Sequence, residues 1–388
     1  MSFDDIERWL TDRRDRGLYR HRRIVGSPQG NEIIVDGRKL LNFCSNDYLG
    51  LANDKRLKEA FKQGADQWGV GASASHLISG HTHAHDALEE ILADFVGRPR
   101  ALLFSSGYAA NMGTINSLVS EGDHVFQDRL NHASLLDGGW ISRAHFHWFK
   151  HRDTKNLEER LERTQGASGR SMVISDGTFS MDGDFCRIDS IVEVAQKHNS
   201  WVMVDDAHGI GVHGQDGVGL IDPKKFSTED IPVLVGTLGK AFGTSGAFVA
   251  GEESLIELLI QKARSYVYST AMPSAIAVAT MKSVEIVKKE QWRREHLTDL
   301  INIFRDGARS LGFQISDSIS PIQPLLLGNP ERAMKLSSVL EDAGILISAI
   351  RPPTVPEGTS RLRITLTAAH TIGNIEKLLE SLRKADHG

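Results

Sequence analysis

The chain has 388 residues, 40% of them hydrophobic and 24% charged, and carries a formal net charge of -5 at pH 7. This composition is typical of a folded globular protein and excludes a chain that is mostly disordered. The net acidity argues against a general nucleic-acid-binding protein. No stretch reaches the ~18 apolar residues of a membrane helix. We therefore expect neither nucleic acid nor a membrane as a partner.

The cysteines and the N-terminus both favour a cytoplasmic protein. Cys44 and Cys186 are too few for a disulfide framework, and their spacing matches no metal site. The first residues, MSFDDIER, lack the apolar centre of a secretory signal. His81, His83 and His85 alternate as metal ligands on a strand would, but their surroundings indicate the start of a helix. We therefore reject a metal site there.

The first hundred residues predict three helices and a hairpin. Apolar residues at helical spacing over residues 3–10 indicate an opening helix. Asp36-Gly37 lies between two apolar runs, which is the strongest short signal for a hairpin. Further helices are expected over residues 54–68 and 84–96.

From about residue 100 onwards, short apolar runs alternate with helical or loop segments. The runs occupy residues 101–104, 125–126, 145–149, 172–174, 201–204, 233–235 and 247–249. This alternation predicts an α/β fold with a mostly parallel central sheet covered by helices.

The last third of the chain predicts a long helix and then a smaller α+β unit. The helix is expected from residue 275 to about residue 310. The strands of the unit are expected at residues 322–327, 345–350 and 361–366, and its helices at residues 331–343 and 372–385. We divide the chain into an N-terminal helix and hairpin segment (1–53), a large α/β domain (54–285) and a small C-terminal α+β domain (286–388).

Lys240 lies in a glycine-rich loop directly after an apolar run, in the sequence VLVGTLGKAFGTSG (residues 233–246). Glycine lets the backbone bend closely around a small molecule. Burial would lower the pKa of the lysine, and a neutral amine can form a Schiff base with an aldehyde. A lysine between glycines is also a common exposed loop residue, so this feature alone does not define a site.

A second apolar run, WVMV (residues 201–204), is followed by Asp205, Asp206 and His208. Ligand-binding residues gather at the strand ends of open α/β sheets. Pyridoxal 5'-phosphate (PLP) needs a lysine for its aldehyde, a carboxylate at its ring nitrogen and donors around its phosphate. Lys240 and Asp205 offer the first two. Together these residues predict a PLP site.

Three places offer donors for the phosphate. Ser106 and Gly107 begin a predicted helix, where free N–H groups and the helix dipole bind phosphate well. A serine there could equally do no more than cap the helix. Thr237 could add a hydroxyl. Thr270 ends the donor-rich turn YST (residues 268–270), which could serve a phosphate site shared across a dimer interface.

Other candidate residues follow predicted strands or stand beside a rigid loop. His132 can stack on an aromatic cofactor or transfer a proton, and Ser180 can hydrogen-bond a cofactor. Each could instead serve only its own loop. Arg351 precedes PPTVPEGT, a rigid segment that suits capture of a substrate carboxylate. A surface arginine beside a turn would fit this segment as well.

Seven blocks of the sequence, in the same order, resemble the α-oxoamine synthases, which are PLP-dependent enzymes of fold type I. The blocks are NFCSNDYLGL (42–51), SSGYAAN (105–111), DRLNHASL (128–135), FSMDGD (179–184), VDDAHG (204–209), GTLGKAFG (236–243) and RPPTVP (351–356). The resemblance covers nearly the whole chain. It implies PLP as the cofactor and a homodimer with active sites at its interface.

The resemblance also implies a role for each residue at the centre of the site. Lys240 would carry the cofactor aldehyde, and Asp205 would pair with its ring nitrogen. His208 would hydrogen-bond the ring hydroxyl, and His132 would stack on the ring.

The other contacts implied by the resemblance surround this centre. The phosphate would contact Gly107, Tyr108 and Thr237, with the turn at Thr270 reaching across the interface. Arg351 would hold the carboxylate of the amino acid. Further contacts to substrate or cofactor would come from Arg20, Asn46, Ser180 and Thr354.

Within the family, the segment AIRPPTVP (residues 349–356) with RLRITL (residues 361–366) is most similar to the member of biotin biosynthesis. That member joins L-alanine to a pimeloyl thioester, of coenzyme A or a carrier protein, with loss of carbon dioxide. Sister enzymes use glycine or serine. Arg20 suits an acyl chain that ends in a carboxylate. His76 and Leu77 depart from the family, because many members have glycine or arginine there.

Two other functions remain open from the sequence. An aminotransferase would share Lys240 and Asp205 but would return the amino group to a keto acid and release no thiol. A catalytically silent scaffold with the same fold is the second. It would have no physical need for Asp205, His208 and Lys240 together, which argues against it.

Overall fold

The computed structural model describes residues 3–386. Its N-terminal part contains helix α1 (Phe3–Asp15), strands β1 (Glu32–Val35) and β2 (Arg38–Asn42), and helices α2 (Lys55–Trp68) and α3 (His83–Val96). Strands β1 and β2 pair antiparallel. Asp36 and Gly37 join them with φ angles of 49° and 80°, as a tight hairpin turn requires. The hairpin and the three helices predicted here are confirmed.

The middle of the chain forms a seven-stranded sheet covered by helices. Its elements are β3 (Arg100–Phe104), α4 (Gly107–Leu118), β4 (His124–Asp128), α5 (Ala133–Ile141), β5 (His145–Phe149), α6 (Thr154–Glu162), β6 (Ser171–Asp176), α7 (Ile188–Lys197), β7 (Trp201–Asp205), β8 (Val233–Thr237), β9 (Ala247–Gly251), α8 (Glu253–Lys262) and α9 (Arg264–Val267). The strands lie in the order β3-β9-β8-β7-β6-β4-β5. Strand β9 runs opposite to the other six strands of this sheet. The predicted mostly parallel sheet is confirmed.

The sheet is buried on both faces, which is why its strands read as apolar runs rather than as alternating patterns. Phe126 and Val204 belong to the apolar layer that contains α3. Their neighbours Val125 and Met203 belong to the layer that contains α4 and α8. Each such side chain stabilises the fold by ~1.5–3 kcal/mol. The central strands are thereby held between two helical layers.

The C-terminal part contains α10 (Ser274–Lys289), α11 (Trp292–Ser310), β10 (Ile322–Gly328), α12 (Pro330–Asp342), β11 (Ile345–Leu346), β12 (Ser348–Ile350), β13 (Ser360–Thr365) and α13 (Ile372–Asp386). Strands β10, β13 and β12 form an antiparallel sheet. Strand β11 instead pairs parallel with β2, so the two ends of the chain share a small sheet. Among residues 3–386, no helix combines the length and the apolar character that crossing a membrane requires.

Two predictions for this part are wrong in detail. The single helix predicted over residues 275–310 is two helices, because Glu290 leaves helical geometry with φ -106° and ψ 64°. The strand predicted over residues 345–350 is interrupted at Ile347, because β11 pairs with β2 whereas β12 pairs with β13. The predicted domain boundary at residue 285 falls inside α10, and the division into three domains stays a prediction.

Candidate active site

Four parallel strands of the large sheet end in polar residues at one edge. Strand β4 ends in Asp128, β6 in Asp176, β7 in Asp205 and β8 in Thr237. Asp176 and Asp205 lie opposite each other in the register of β6 and β7. Ligands bind beyond the carboxyl ends of the strands in sheets of this kind. The strand ends predicted to carry the site therefore lie side by side.

Lys240 lies in the loop that joins β8 to β9, at this edge of the sheet. The Leu238 amide donates to the Gly246 carbonyl at 2.9 Å, which closes the loop. Gly243 has a φ of +68°, and a Cβ at this position would lie 2.4 Å from the backbone nitrogen of Ala52. Only glycine fits this position without moving the backbone. The glycines of the motif therefore shape the loop that presents the lysine.

The electrostatic surroundings of Lys240 fit a reactive amine. Burial lowers the pKa of Lys240 to about 8, although the nearby carboxylates of Asp205 and Asp176 oppose this shift. A lysine in water has a pKa of ~10.4. A much larger fraction of this amine is therefore neutral near pH 7–8, as formation of a Schiff base requires.

Asp205 is 6% exposed and is held at both of its oxygens. Its Oδ2 accepts a hydrogen bond from Asn111 Nδ2 at 2.7 Å. Its Oδ1 accepts from the backbone amide of Ala207 at 3.0 Å. Two donors from different elements leave the carboxylate a single orientation at the end of β7.

Two further carboxyl groups near Asp205, those of Asp206 and Asp176, have raised pKa values. Burial raises the pKa of Asp206 to about 8, and burial together with the charge of Asp205 raises the pKa of Asp176 well above its ordinary value. At pH 7 Asp206 is therefore mostly protonated. Asp206 accepts from the Leu220 amide at 2.7 Å, which is a structural contact to a neighbouring loop.

His208 is buried and contacts a tyrosine of the N-terminal part. Its Nδ1 lies 2.6 Å from the hydroxyl of Tyr48. Burial lowers the pKa of His208 well below its ordinary value, and the charges of Lys240 and Arg363 add to this effect. Burial also raises the pKa of Tyr48 to about 12. Both groups are therefore neutral and act through hydrogen bonds.

His132 caps the N-terminus of α5 next to the same strand ends. Its backbone amide donates to Asp176 Oδ2 at 2.6 Å. Its Nδ1 lies 2.7 Å from the hydroxyl of Ser134 and accepts from the Ser134 amide at 3.3 Å. Burial lowers the pKa of His132, against the attraction of Asp205. The structure thus brings His132, Asp205, His208 and Lys240 to one edge of the sheet.

The start of α4 is compatible with both interpretations that the sequence left open, a helix cap at Ser106 and a binding site for phosphate. The hydroxyl oxygen of Ser106 accepts from the Ala109 amide at 3.1 Å, so this serine does cap the helix. Among residues 3–386, apart from its chain neighbours and the backbone of its own helix, nothing comes within 4 Å of a Cβ placed on Gly107, so a ligand has space to approach. Tyr108 is 47% exposed, and its hydroxyl donates to Asp137.

Thr237 and Thr270 have different surroundings. The Thr237 hydroxyl donates to the Gly246 carbonyl at 3.1 Å and accepts from the Gly239 amide at 3.4 Å. Thr270 is exposed, and it forms an isolated bridge with Ser75 in the loop before α3. Thr237 therefore contacts the Lys240 loop, whereas Thr270 lies on an exposed turn.

Arg363 contacts two predicted site residues, although the sequence alone predicts no role for it. Its Nε donates to the Ser180 carbonyl at 2.7 Å, and its Nη2 donates to Asn46 Oδ1 at 3.2 Å. It is only 8% exposed. Arg361 and Arg363 alternate with apolar residues on a buried strand. The alternation of arginine with apolar residues in a predicted strand was the sequence signal that could have pointed to Arg363.

Arg20, Arg351 and Thr354 line one cavity of about 170 Å³ between the segment after α1 and the loop after β12. Arg351 Nη2 donates to the carbonyl of Gly17. The Thr354 amide donates to the Arg351 carbonyl at 3.0 Å. The structure therefore brings these three predicted substrate residues together, next to the N-terminal segment.

The histidines near α3 are engaged with one another. Nδ1 of His76 lies 2.8 Å from Nδ1 of His81, and the ring of His76 stacks on Tyr266. His85 Nε2 lies 2.7 Å from the Met272 carbonyl. The helix predicted over residues 84–96 is confirmed and begins at His83. His76, where the sequence departs from the family, therefore packs against the helix that precedes the Thr270 turn.

Known proteins resemble the chain over nearly its whole length. Residues 38–382 match the family Aminotransferase class I and II. An 8-amino-7-oxononanoate synthase of Pseudomonas putida is 53% identical over 382 residues, which are 98% of this chain and 97% of the relative.

Two solved structures show the same fold. A serine palmitoyltransferase from S. paucimobilis, with bound PLP–myriocin aldimine, has a TM-score of 0.92 at 28% identity and covers 99% of this chain and 97% of its own. An 8-amino-7-oxononanoate synthase from Francisella tularensis has a TM-score of 0.78 at 31% identity and covers 90% of this chain and 98% of its own.

The chain therefore belongs to the aminotransferase class I and II family, and within it to the 8-amino-7-oxononanoate synthases. It is a PLP-dependent acyltransferase of fold type I. The donor set of the site fits PLP: Lys240 offers a partly neutral amine, and Asp205 offers an oriented carboxylate. The open start of α4 leaves space for a phosphate.

Proposed function

We propose that this chain condenses L-alanine with a pimeloyl thioester to give 8-amino-7-oxononanoate, carbon dioxide and a free thiol, in biotin biosynthesis. The observation that carries the proposal is the position of Lys240, whose pKa is about 8, beside Asp205 and His208 at one sheet edge. The substrates follow from the full-length relatives named 8-amino-7-oxononanoate synthase. The acyl carrier is coenzyme A or a carrier protein.

The residues of this chain would hold the cofactor as follows. Lys240 would bind the aldehyde, Asp205 would pair with the ring nitrogen, and His208 would hydrogen-bond the ring hydroxyl. His132 would stack on the ring. The phosphate would contact Ser106, Gly107 and Tyr108 at the start of α4, together with Thr237 and Thr270. Ser180 would hydrogen-bond the cofactor. When bound, PLP supplies an electron sink that stabilises negative charge at the α-carbon of the amino acid.

Lys240 is the proposed base of the reaction. Its neutral amine would remove the α-proton of L-alanine and later return a proton to the product. A pKa of about 8 lets the same group accept and donate a proton near neutral pH. The low pKa of His208 keeps it neutral, so it does not compete for the proton.

Arginines would select the substrates. Arg351 would hold the carboxylate of L-alanine, because a guanidinium matches a carboxylate with two parallel hydrogen bonds. Arg20 lines the same cavity and would face the distal carboxylate of the pimeloyl chain or its ester. Asn46 and Thr354 would add polar contacts to the substrate.

We also propose a homodimer that shares its two active sites. Val70, Ile78 and Tyr268 are 84%, 80% and 73% exposed, and the bridge between Ser75 and Thr270 brings their two segments together. Apolar side chains exposed in one region mark an interaction surface. Sedimentation of the purified protein should give twice the chain mass of 42.8 kDa, whereas a monomer would contradict the dimer.

A cytoplasmic location completes the proposal. Cys44 and Cys186 are both free thiols, as expected for a protein of a reducing compartment.

The substrate assignment is tested by thiol release. Purified protein with PLP receives pimeloyl-CoA and one of L-alanine, glycine or L-serine, and the product is identified by mass spectrometry. We expect thiol release and 8-amino-7-oxononanoate with L-alanine only. Thiol release with glycine or L-serine instead of L-alanine would be consistent with the family but would contradict L-alanine as the substrate. Amino transfer to a keto acid without thiol release would indicate an aminotransferase.

A further inference from the structure

Asn111 contacts two parts of the proposed site at once, although no role follows for it from the sequence. It lies on α4, one turn after Gly107, and is 1% exposed. Its Nδ2 donates to Asp205 Oδ2 at 2.7 Å and to the hydroxyl oxygen of Ser134 at 2.9 Å. A primary amide nitrogen carries two hydrogens. Each acceptor therefore takes one of them.

The orientation of this amide follows from its partners. If the amide were turned over, its oxygen would face the oxygen of Asp205, and two acceptors would meet without a proton. In the observed orientation, Asn111 Oδ1 is buried without a hydrogen-bond partner among the described residues. A buried unpaired acceptor costs ~1–3 kcal/mol. The two donated hydrogen bonds offset that cost.

The direction of the next hydrogen bond is then determined. Ser134 has one hydroxyl proton, and its oxygen already accepts from Asn111. His132 Nδ1 lies 2.7 Å from this hydroxyl. The Ser134 backbone amide donates to the same nitrogen at 3.3 Å. Because Nδ1 already accepts from this backbone N–H, it carries no proton of its own, and the Ser134 hydroxyl proton points to it. Nδ1 of His132 is an acceptor in both contacts, so the ring proton lies on Nε2.

We propose that Asn111 is a positioning residue that orients the carboxylate of Asp205 and, through Ser134, fixes His132 in the Nε2–H tautomer. The inference rests on the proposed roles of Asp205 and His132 at the PLP ring. Asn111 thereby connects Asp205, which is proposed to face the ring nitrogen, with His132, which is proposed to stack on the ring. The hydrogen-bond directions themselves are properties of the protein without cofactor.

The tautomer is measured directly by long-range 1H–15N NMR of apo-protein labelled with 15N-histidine, with the His132 signals assigned from a His132→Gln sample. We expect the Nε2–H pattern in the wild type and a mixture of both tautomers in Ser134→Ala. A wild-type Nδ1–H pattern would overturn the proposal. The outcome does not depend on turnover, so a failed alanine reaction with an intact tautomer would contradict the proposed function alone.

The effect on Asp205 is measured as PLP affinity of the apo-protein. Hydrogen bonds to a charged group are worth ~1.5–3 kcal/mol, so Asn111→Leu should raise the dissociation constant for PLP at least roughly 10-fold. Asn111→Asp should do the same increasingly as the pH rises, because its carboxylate would repel Asp205. An unchanged dissociation constant in the folded Asn111→Asp variant would overturn the proposal if Asn111→Leu failed to fold.

Asn116 provides a matched control on the same helix. Its amide nitrogen donates to the carbonyls of Met112 and Gly138 at 2.8 and 3.3 Å and touches neither Asp205 nor Ser134. Asn116→Leu should leave the His132 tautomer unchanged and the PLP dissociation constant within about twofold of the wild type. If Asn116→Leu weakened PLP binding as much as Asn111→Leu, the weaker binding would come from disturbance of helix α4. It would then not come from loss of the Asn111 hydrogen bonds to Asp205 and Ser134.

Discussion

The edge of the large sheet around Lys240 and the cavity around Arg351 are built in different ways. At the sheet edge, Asp205 and His208 are held by hydrogen bonds from other elements, and the backbone amide of His132 donates to Asp176 at the end of β6. In the cavity, Arg351 and Arg20 lie on segments outside helices and strands. The groups proposed for the cofactor are therefore preorganised by the fold, whereas the two arginines proposed for the substrate depend on loops.

Loss of the Asp205 charge should have the largest effect. Asp205→Asn keeps the shape of the side chain but removes its charge, so alanine-dependent thiol release should fall at least ~100-fold. The matched control is Asp206→Asn. Asp206 has a pKa raised by burial to about 8 and is mostly neutral at pH 7, so its substitution should change the rate only a few-fold. Equal losses in both variants would contradict the assignment of Asp205.

Substitution in the cavity should act on binding more than on chemistry. Arg351→Ala removes the proposed carboxylate partner and should raise KM for L-alanine ~10–100-fold, with a smaller change in kcat. Arg38→Ala is the control, because Arg38 donates to the Glu341 carbonyl on the surface. If Arg351→Ala left KM for L-alanine unchanged, the cavity around Arg351 would not be part of the L-alanine site.

The capture of PLP by apo-protein should depend on pH through Lys240. Below a pKa of about 8 the neutral fraction of the amine rises ~10-fold per pH unit, and above it the fraction is constant. Stopped-flow absorbance should therefore show a capture rate that rises to about pH 8 and then levels off. A rate that keeps rising towards pH 10 would indicate an ordinary, solvated lysine.

The smallest effect is expected on stability. Tyr48→Phe removes the hydroxyl that lies 2.6 Å from His208 Nδ1 and leaves a buried ring nitrogen without this partner. The free energy of unfolding of the apo-protein should fall by ~1–3 kcal/mol in urea titrations. Tyr19→Phe, at a half-buried ring near the N-terminus, should change it by less than ~0.5 kcal/mol. Equal stability of Tyr48→Phe and wild type would contradict preorganisation by this contact.

The same contrast explains how much could be predicted from the sequence. Local chemistry determines the hairpin at Asp36-Gly37, the strand ends and the glycine loop around Lys240, and these predictions are confirmed. The break at Ile347 reflects pairing of its two flanking strands with different partners, and Glu290 accepts a hydrogen bond from Arg56, 234 positions away. Local periodicity reports neither contact. Ile347 lies between β11, which pairs with β2, and β12, which pairs with β13 in a different sheet.

The candidate site follows the same rule. Residues at strand ends, such as Asp205 and His208, were predictable because parallel strands end at one edge. Asn111, Tyr48 and Arg363 act through contacts to residues that are 94, 160 and 317 positions away in the chain. Such contacts exist only in the folded chain. The roles assigned to the site residues stay predictions until the variants are measured.

The most direct test is to map where the protein binds PLP. Apo-protein is incubated with PLP, reduced with borohydride, digested and examined by peptide mass spectrometry. We predict that the reduced cofactor is found on Lys240 in the wild type, and that Lys240→Ala carries no such label while remaining folded. A label at another lysine, or none on a folded wild-type protein, would contradict the account of this sheet edge as the cofactor site.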